Sequence, residues 1–394
     1  MVPDFVHPVL RKPIHEMLSN VLKASPVGSP AMIKVMPFPA YTHSPHDPRP
    51  PVASVPNVPH TQTYWKFPPT RSASSTAGRT SPPRRTRLMA TLNVTPDSFS
   101  DGSDHTTPSA ALSYATTSVA AGADIVDVGG YSTRPGAAYV PSAEETDRVV
   151  PVIAGIRALQ PPPDAAGAKN VLISVDTFRH DVARAAVLAG ANCINDVHGF
   201  TGPDYPPTST SASACLADMK KTARELAVPV ILMHSRGDAG QNKDYSRHGS
   251  VVQGVAQELA EKVEAVVRGP GGVRRWLVMV DPGIGFSKSL GGNLQVLRDA
   301  SSMTGNERTK DGVWNPLRGY PQLIGVSRKS FLGAILSQST EDETYQGRQT
   351  TPKERGWATA AAVTSAVQQG AAVVRVHDVA ELGDVVRVAD SIWN

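Results

Sequence analysis

Cysteine is nearly absent. The 394 residues hold two, Cys193 in an apolar strand-like run and Cys215 in a Ser/Thr-rich stretch. That excludes a disulfide framework and cysteine-based metal spacing, and it suits a reducing compartment. A run of about 18 uninterrupted apolar residues is also missing, so no transmembrane span is expected. Charge of one sign is scarcely in excess: 39 Lys and Arg against 35 Asp and Glu give a formal charge of +4. Much of that excess sits in Arg71, Arg79, Arg84, Arg85 and Arg87, where no aromatic or apolar face accompanies it. The cluster reads as a solvated basic linker, and no nucleic-acid partner is expected. Sustained periodicity is lacking across residues 25 to 87, which are rich in Pro, Ser and Thr and predict a mostly disordered N-terminal extension. A Ser- and Arg-rich stretch could mimic a transit peptide, but it lies internally and carries many prolines, so the expected location is cytoplasmic, with the mitochondrion as the alternative.

From Leu88 onward the pattern changes. Eight short apolar runs read as strands: 88–93, 124–128, 171–176, 192–196, 230–234, 277–281, 323–327 and 373–376. Gly122-Ala123, Gly190-Ala191 and Gly370-Ala371 each stand between a helix-like segment and a β-branched run, as expected where glycine takes the left-handed conformation ending a helix. Ser109 to Ala121 reads as a helix, and Ser142-Ala-Glu-Glu145 has capping-box spacing for another. Strands alternating with helices eight times over predict an α/β fold, a (β/α)₈ TIM barrel. Three inserts, 202–213, 301–320 and 338–352, read as surface loops, the last near the barrel mouth.

The strand ends are polar. Asn93, Thr133 just beyond Asp127, Asp176, Asn195, Asp196, His234, Asp281, Lys329, Arg375 and His377 fall at or near them. In a packed barrel such residues belong at the C-terminal mouth, where a ligand or loop can satisfy them. Asp176, Asn195 and Asp281 suit a flat heterocycle with ring N–H groups and an exocyclic amine. Lys329, Arg375 and His377 are donors that, with Asn93, suit a diphosphate with Mg²⁺, the remaining metal ligands being phosphate oxygens and water. A heterocycle site beside a diphosphate site implies displacement of diphosphate.

These residues stand within a longer ordered set of motifs. Leu92-Asn-Val-Thr-Pro-Asp-Ser-Phe-Ser-Asp-Gly102 and Asp127-Val-Gly-Gly-Tyr-Ser-Thr-Arg-Pro-Gly-Ala137 resemble the two signature segments of the dihydropteroate synthases. Ser174–Thr177, Ile194–Asp196, Leu232–His234, Asp281–Phe286, Gly325–Ser330 and Arg375–Asp378 match later segments of that family in order. The resemblance covers about residues 88 to 390. Residues 1–24 resemble the C-terminus of hydroxymethyldihydropterin pyrophosphokinase, which precedes the synthase in fused fungal proteins. The expected organisation is a kinase remnant at 1–24, a linker at 25–87 and a pterin-binding barrel at 88–394. Tyr131 departs from the Glu usual in bacterial members, so no carboxylate role transfers there.

The resemblance implies condensation of 6-hydroxymethyl-7,8-dihydropterin diphosphate with p-aminobenzoate, giving 7,8-dihydropteroate and pyrophosphate, in a sulfonamide-sensitive class that is commonly dimeric. It implies catalytic roles for Asp101, Arg134, Lys329, Arg375 and His377. Asp176, Asn195, Met233, Asp281 and Lys329 would hold the pterin. Phe99, Thr133, Arg134, Pro135, Phe286 and Ser327 would border p-aminobenzoate, and Asn93 would serve Mg²⁺. Two other readings remain open: a non-catalytic pterin-binding fragment, and a methyltetrahydrofolate corrinoid methyltransferase, which needs no diphosphate cradle.

Overall fold

The computed structural model describes residues 65, 67, 85–95, 107–134, 136–159, 171–269, 271–306, 314–341 and 344–393. The kinase-like 1–24 segment lies outside them, as do Phe99, Asp101 and Pro135.

All eight expected strands form: β1 (Arg87–Asn93), β2 (Ile125–Gly129), β3 (Leu172–Asp176), β4 (Cys193–Asp196), β5 (Val230–Met233), β6 (Val278–Asp281), β7 (Leu323–Gly325) and β8 (Val373–Val376). They pair in parallel in the order β6-β5-β4-β3-β2-β1-β8-β7, and a bridge between Val280 and Gln322 closes the ring. The helices are α1 (Pro108–Ala120), α2 (Ser142–Ala158), α3 (His180–Ala189), α4 (Thr210–Leu226), α5 (Val251–Val267), α6 (Leu290–Arg298), α7 (Ala300–Thr304), α8 (Ser330–Leu336), α9 (Gly356–Gln368) and α10 (Val379–Trp393).

Two cores follow from the period of two along a strand. Met89, Ile125, Leu172, Cys193, Ile231, Met279, Leu323 and Val373 form the inner one. Leu88, Ala90, Leu92, Val126, Val128, Ile194 and Leu232 belong to the outer one, under the helices. Counting in twos from the inner set puts Asn93, Asp127, Asp176, Asn195, Met233, Asp281 and Arg375 on the axis side, and Asp196 and His234 on the helix side. The strand-end set is thus divided by parity before any contact is considered.

Three local expectations change. Ser142 is the first residue of α2, not its cap: the preceding residue is Pro141, and the Ser142 hydroxyl turns to Asp181. Glu145 is fully buried and pairs with Arg179 instead of reaching back along its own helix. The insert at 202–213 ends as helix, because the Ser209 hydroxyl accepts from Ala212 N and starts α4. Part of the 301–320 insert is likewise helical, in α7.

The N-terminal end of the barrel is covered from outside. Trp65 and Phe67, within the stretch read as linker, pack against the inner core with their rings edge to face at 5.0 Å, and the Arg87 guanidinium lies 4.9 Å from the Phe67 ring. Arg85 bonds Asp124, and Thr86 bonds Asp390 through both backbone and hydroxyl.

Candidate active site

At the mouth, Arg375 is the centre of a partly buried ionic group. Its Nε donates to Asp127 Oδ2 at 2.6 Å and its Nη2 to Asp176 Oδ2 at 2.8 Å. Asn195 Nδ2 donates to the same Asp127 oxygen at 3.1 Å. One carboxylate therefore fixes two of the expected site residues at once. Asp127 itself was passed over in the sequence as the landmark before Thr133. Its position two residues after the inward Ile125 was the signal that could have found it. Its Oδ1 is buried without a hydrogen-bond partner, as are the in-register hydroxyls of Thr91 and Ser174.

Burial pushes the Asp176 carboxyl up to about 7 against the pull of Arg375, with Asp127, Glu145 and Asp196 adding to the rise. Burial also raises Asp281, which Lys329 opposes, and lowers Lys329 to about 8. Asp281 Oδ1 accepts from Gly283 N at 2.7 Å. Lys329 donates to Ile284 O and sits 4.6 Å from the Phe286 ring centroid. A Cβ on Gly285, whose φ is +86°, would lie 2.6 Å from Lys329 Cδ, so this close approach needs glycine.

His377 is neutral: burial, then Arg375, Arg328, Arg134 and Lys329, push it down to about 3. The Ser327 hydroxyl accepts from His377 N at 3.2 Å and lies 2.9 Å from Nδ1. Ser327, expected to border the arylamine, is engaged in orienting His377. Met233 is buried at the end of β5, and Asn93 is half-buried at the end of β1.

Thr133, Arg134 and Phe286 line one cleft of about 660 Å³, together with Tyr131, Phe178, Arg179 and His198. Tyr131 meets Phe178 edge to face at 5.4 Å, and the Arg179 guanidinium lies 4.8 Å from the Tyr131 ring and 5.0 Å from that of Phe178. The residue that departs from the bacterial pattern thus enters an aromatic and guanidinium wall.

Two members of the strand-end set are elsewhere. Asp196 accepts from the backbone N–H groups of His198 and Phe200 at 2.7 and 3.1 Å and so shapes the loop after β4. His234 faces α5. Among the described residues no group of three or more His, Cys, Asp or Glu could hold a metal, and no helix is long and apolar enough to cross a membrane.

The model of the pterin binding enzyme family matches residues 89–377. A dihydropteroate synthase of Synechocystis sp. is 36% identical over 310 residues, spanning 79% of this chain and 91% of that protein. The folic acid synthesis protein of Pneumocystis carinii is 35% identical over 309 residues, covering 78% of this chain; the match takes in 36% of that longer protein. The structure of Burkholderia cenocepacia dihydropteroate synthase complexed with 7,8-dihydropteroate superposes with a TM-score of 0.58 at 34% identity, covering 78% of this chain and 91% of that one. With eight strands in the same family frame and a mouth built from its motifs, the chain belongs to the pterin-binding enzymes, among the dihydropteroate synthases.

Proposed function

We propose that the barrel mouth condenses 6-hydroxymethyl-7,8-dihydropterin diphosphate with p-aminobenzoate, releasing pyrophosphate and forming 7,8-dihydropteroate. The observation that carries this reading is the Asp127–Arg375–Asp176 group: two carboxylates and a guanidinium on the barrel axis, beside Asn195, Asp281 and Lys329. Asp176, Asn195 and Asp281 present acceptors and an amide to the pterin edge, with Met233 beneath and Lys329 beside it. Breaking the C–O bond leaves positive charge on the pterin methylene, which the carboxylates favour, and negative charge on the departing diphosphate. Arg375 through its remaining N–H groups, His377, Arg134 and Asn93 face that anion. p-Aminobenzoate enters through the cleft of Thr133, Arg134 and Phe286, and its amine then meets the cationic carbon. Phe99, Asp101 and Pro135 keep the roles that the family resemblance implies, on the first two loops.

Asn93 offers one neutral oxygen and among the described residues no carboxylate cage surrounds it, so the donor set fits Mg²⁺ only as an ion that arrives with the diphosphate. Bound there, the metal would neutralise charge on the leaving group. The proposed site of action is the cytoplasm, which the two free cysteines support. A homodimer is proposed as the working form, supported by an apolar groove of Leu294, Phe331, Ile335 and Ala358 on the outer face. The deciding experiment mixes both substrates with the full chain and follows pyrophosphate. Release that depends on both substrates is the expected result; pterin binding without release would identify a binding fragment instead.

A further inference from the structure

Behind the arylamine cleft, outside the barrel axis, lies a buried chain of polar and charged side chains. His234 Nε2 is 3.0 Å from Glu258 Oε2 on α5, and its Nδ1 is 3.2 Å from Lys288 Nζ. Lys288 Nζ also donates to Gly283 O at 2.8 Å and to Phe286 O at 3.0 Å. Arg236 closes the far end, its Nε and Nη2 donating to the two Glu258 oxygens at 2.9 and 2.7 Å. His234, Arg236 and Lys288 are each at most 4% exposed.

Hydrogen-bond arithmetic fixes the protons. Burial raises the Glu258 carboxyl, but the bonds from His234 and Arg236 outweigh it and hold the group well below the usual carboxylate range. An ionised carboxylate only accepts, so His234 Nε2 must carry its hydrogen. Burial, with Lys288 beside it, pushes His234 down to about 3, so the ring is neutral and Nδ1 is an acceptor. Lys288 then donates to Nδ1 and to two carbonyls, which uses all three N–H bonds of an ammonium and leaves none for a ligand. Burial pulls its pKa well down, with Lys329 and Arg236 adding to the fall and the Asp281 and Glu258 carboxylates pulling the other way. The loop that Lys288 grips packs closely against the end of β5: at Gly283, φ +66°, a Cβ would lie 2.0 Å from His234 O.

We propose that Glu258, His234 and Lys288 are a positioning relay that sets the shape of the Gly283–Ser287 loop and, through it, the Phe286 wall of the arylamine site. This rests on the placement of Phe286 beside p-aminobenzoate argued above. The relay itself makes no hydrogen bond to a proposed pterin residue, but the loop it grips does, through Gly283 N to Asp281 and Ile284 O to Lys329, so its loss falls chiefly on the arylamine and to a smaller degree on the pterin.

The test compares Lys288→Met, Glu258→Gln and Phe286→Ala in the full chain, measuring KM for p-aminobenzoate and, separately, Kd for the pterin diphosphate by calorimetry. All three should raise that KM, Lys288→Met by about tenfold from two unmatched carbonyls and a freed loop, with pterin Kd changed less than about threefold. An unchanged KM in Phe286→Ala would remove the arylamine placement itself. A raised KM in Phe286→Ala with no change in Lys288→Met and Glu258→Gln would overturn the relay while sparing that placement. Equal weakening of both substrates would also overturn it, as general loosening. Should a variant not fold, ¹⁵N-histidine NMR of the unaltered protein decides: His234 should be neutral with hydrogen on Nε2, and the Nδ1–H tautomer or an imidazolium would refute the relay.

Discussion

Arg375 Nε stands 2.6 Å from Asp127 Oδ2, joining the last strand of the barrel to the second across 248 residues of sequence. Asp127 also holds Asn195, so its charge orders two of the groups proposed to face the ligand. Asp127→Asn is expected to weaken pterin diphosphate binding by about 2 kcal/mol, the scale of a charge-assisted bond lost in a buried setting. Titration calorimetry checks this, and an affinity equal to that of the unaltered protein would exclude the role.

Arg375→Ala should behave differently from a simple loss of phosphate binding. With the guanidinium gone, Asp127 and Asp176 face each other as buried carboxylates, and Asp176 takes up a proton more readily. Affinity should fall by about tenfold or more for both the diphosphate and the unphosphorylated hydroxymethylpterin. His377→Ala, which leaves the carboxylates paired, should reduce only the diphosphate affinity. Binding of the two ligands to the two variants gives the four numbers required.

Pterin binding should depend on pH near neutrality. Because Asp176 is raised to about 7 in the free protein, it is largely protonated below that pH, where it presents a proton to the pterin N–H groups. The ligand favours the ionised form, so binding expels a proton, and affinity should fall by about tenfold per unit as pH drops below that value. Asp176→Asn should bind weakly with that slope removed. A slope that persists in the variant would assign the proton to another group, Asp281 being the next candidate.

A chain beginning at Arg84 should still fold and condense the substrates, since every mouth residue among the described ones lies beyond it, but it should be less stable. It lacks Trp65 and Phe67, which cover the inner core at the N-terminal end. Phe67→Ala alone is expected to cost about 1 to 2 kcal/mol in chemical denaturation, from lost burial and the contact with Arg87. Identical midpoints would mean that the aromatic cover contributes nothing.

The strands were legible because a residue buried on both faces of a parallel barrel must be apolar, and β-branched runs between glycine-ended helices say so directly. Asn93, Asp176, Asn195, Asp281 and Arg375 were legible for a related reason, since polar residues at strand ends survive only at a mouth. Asp127 was less so: its two-residue spacing from Ile125 marks it as facing the axis, but the use of a mid-strand aspartate shows only in its partners on β4 and β8. The relay was hidden for the same cause: His234 and Glu258 are 24 residues apart on different elements, and only the fold shows that they meet. Ser142 had the right spacing for a cap, yet Asp181 lay within reach of its hydroxyl and took it. Trp65 and Phe67 sit in a segment without periodicity, and two aromatic residues alone carry no pattern.

The ring of strands has a seam. Where every other neighbouring pair shares a ladder, β6 and β7 are joined among the described residues by the bridge at Val280 and Gln322. Asp281 ends one side of that seam and Lys329 follows the other. A pterin gripped by both would act as a clasp across the weakest joint of the barrel, so that filling the site and closing the cylinder become one event. Amides flanking the joint should then be the ones whose hydrogen exchange slows most when ligand enters.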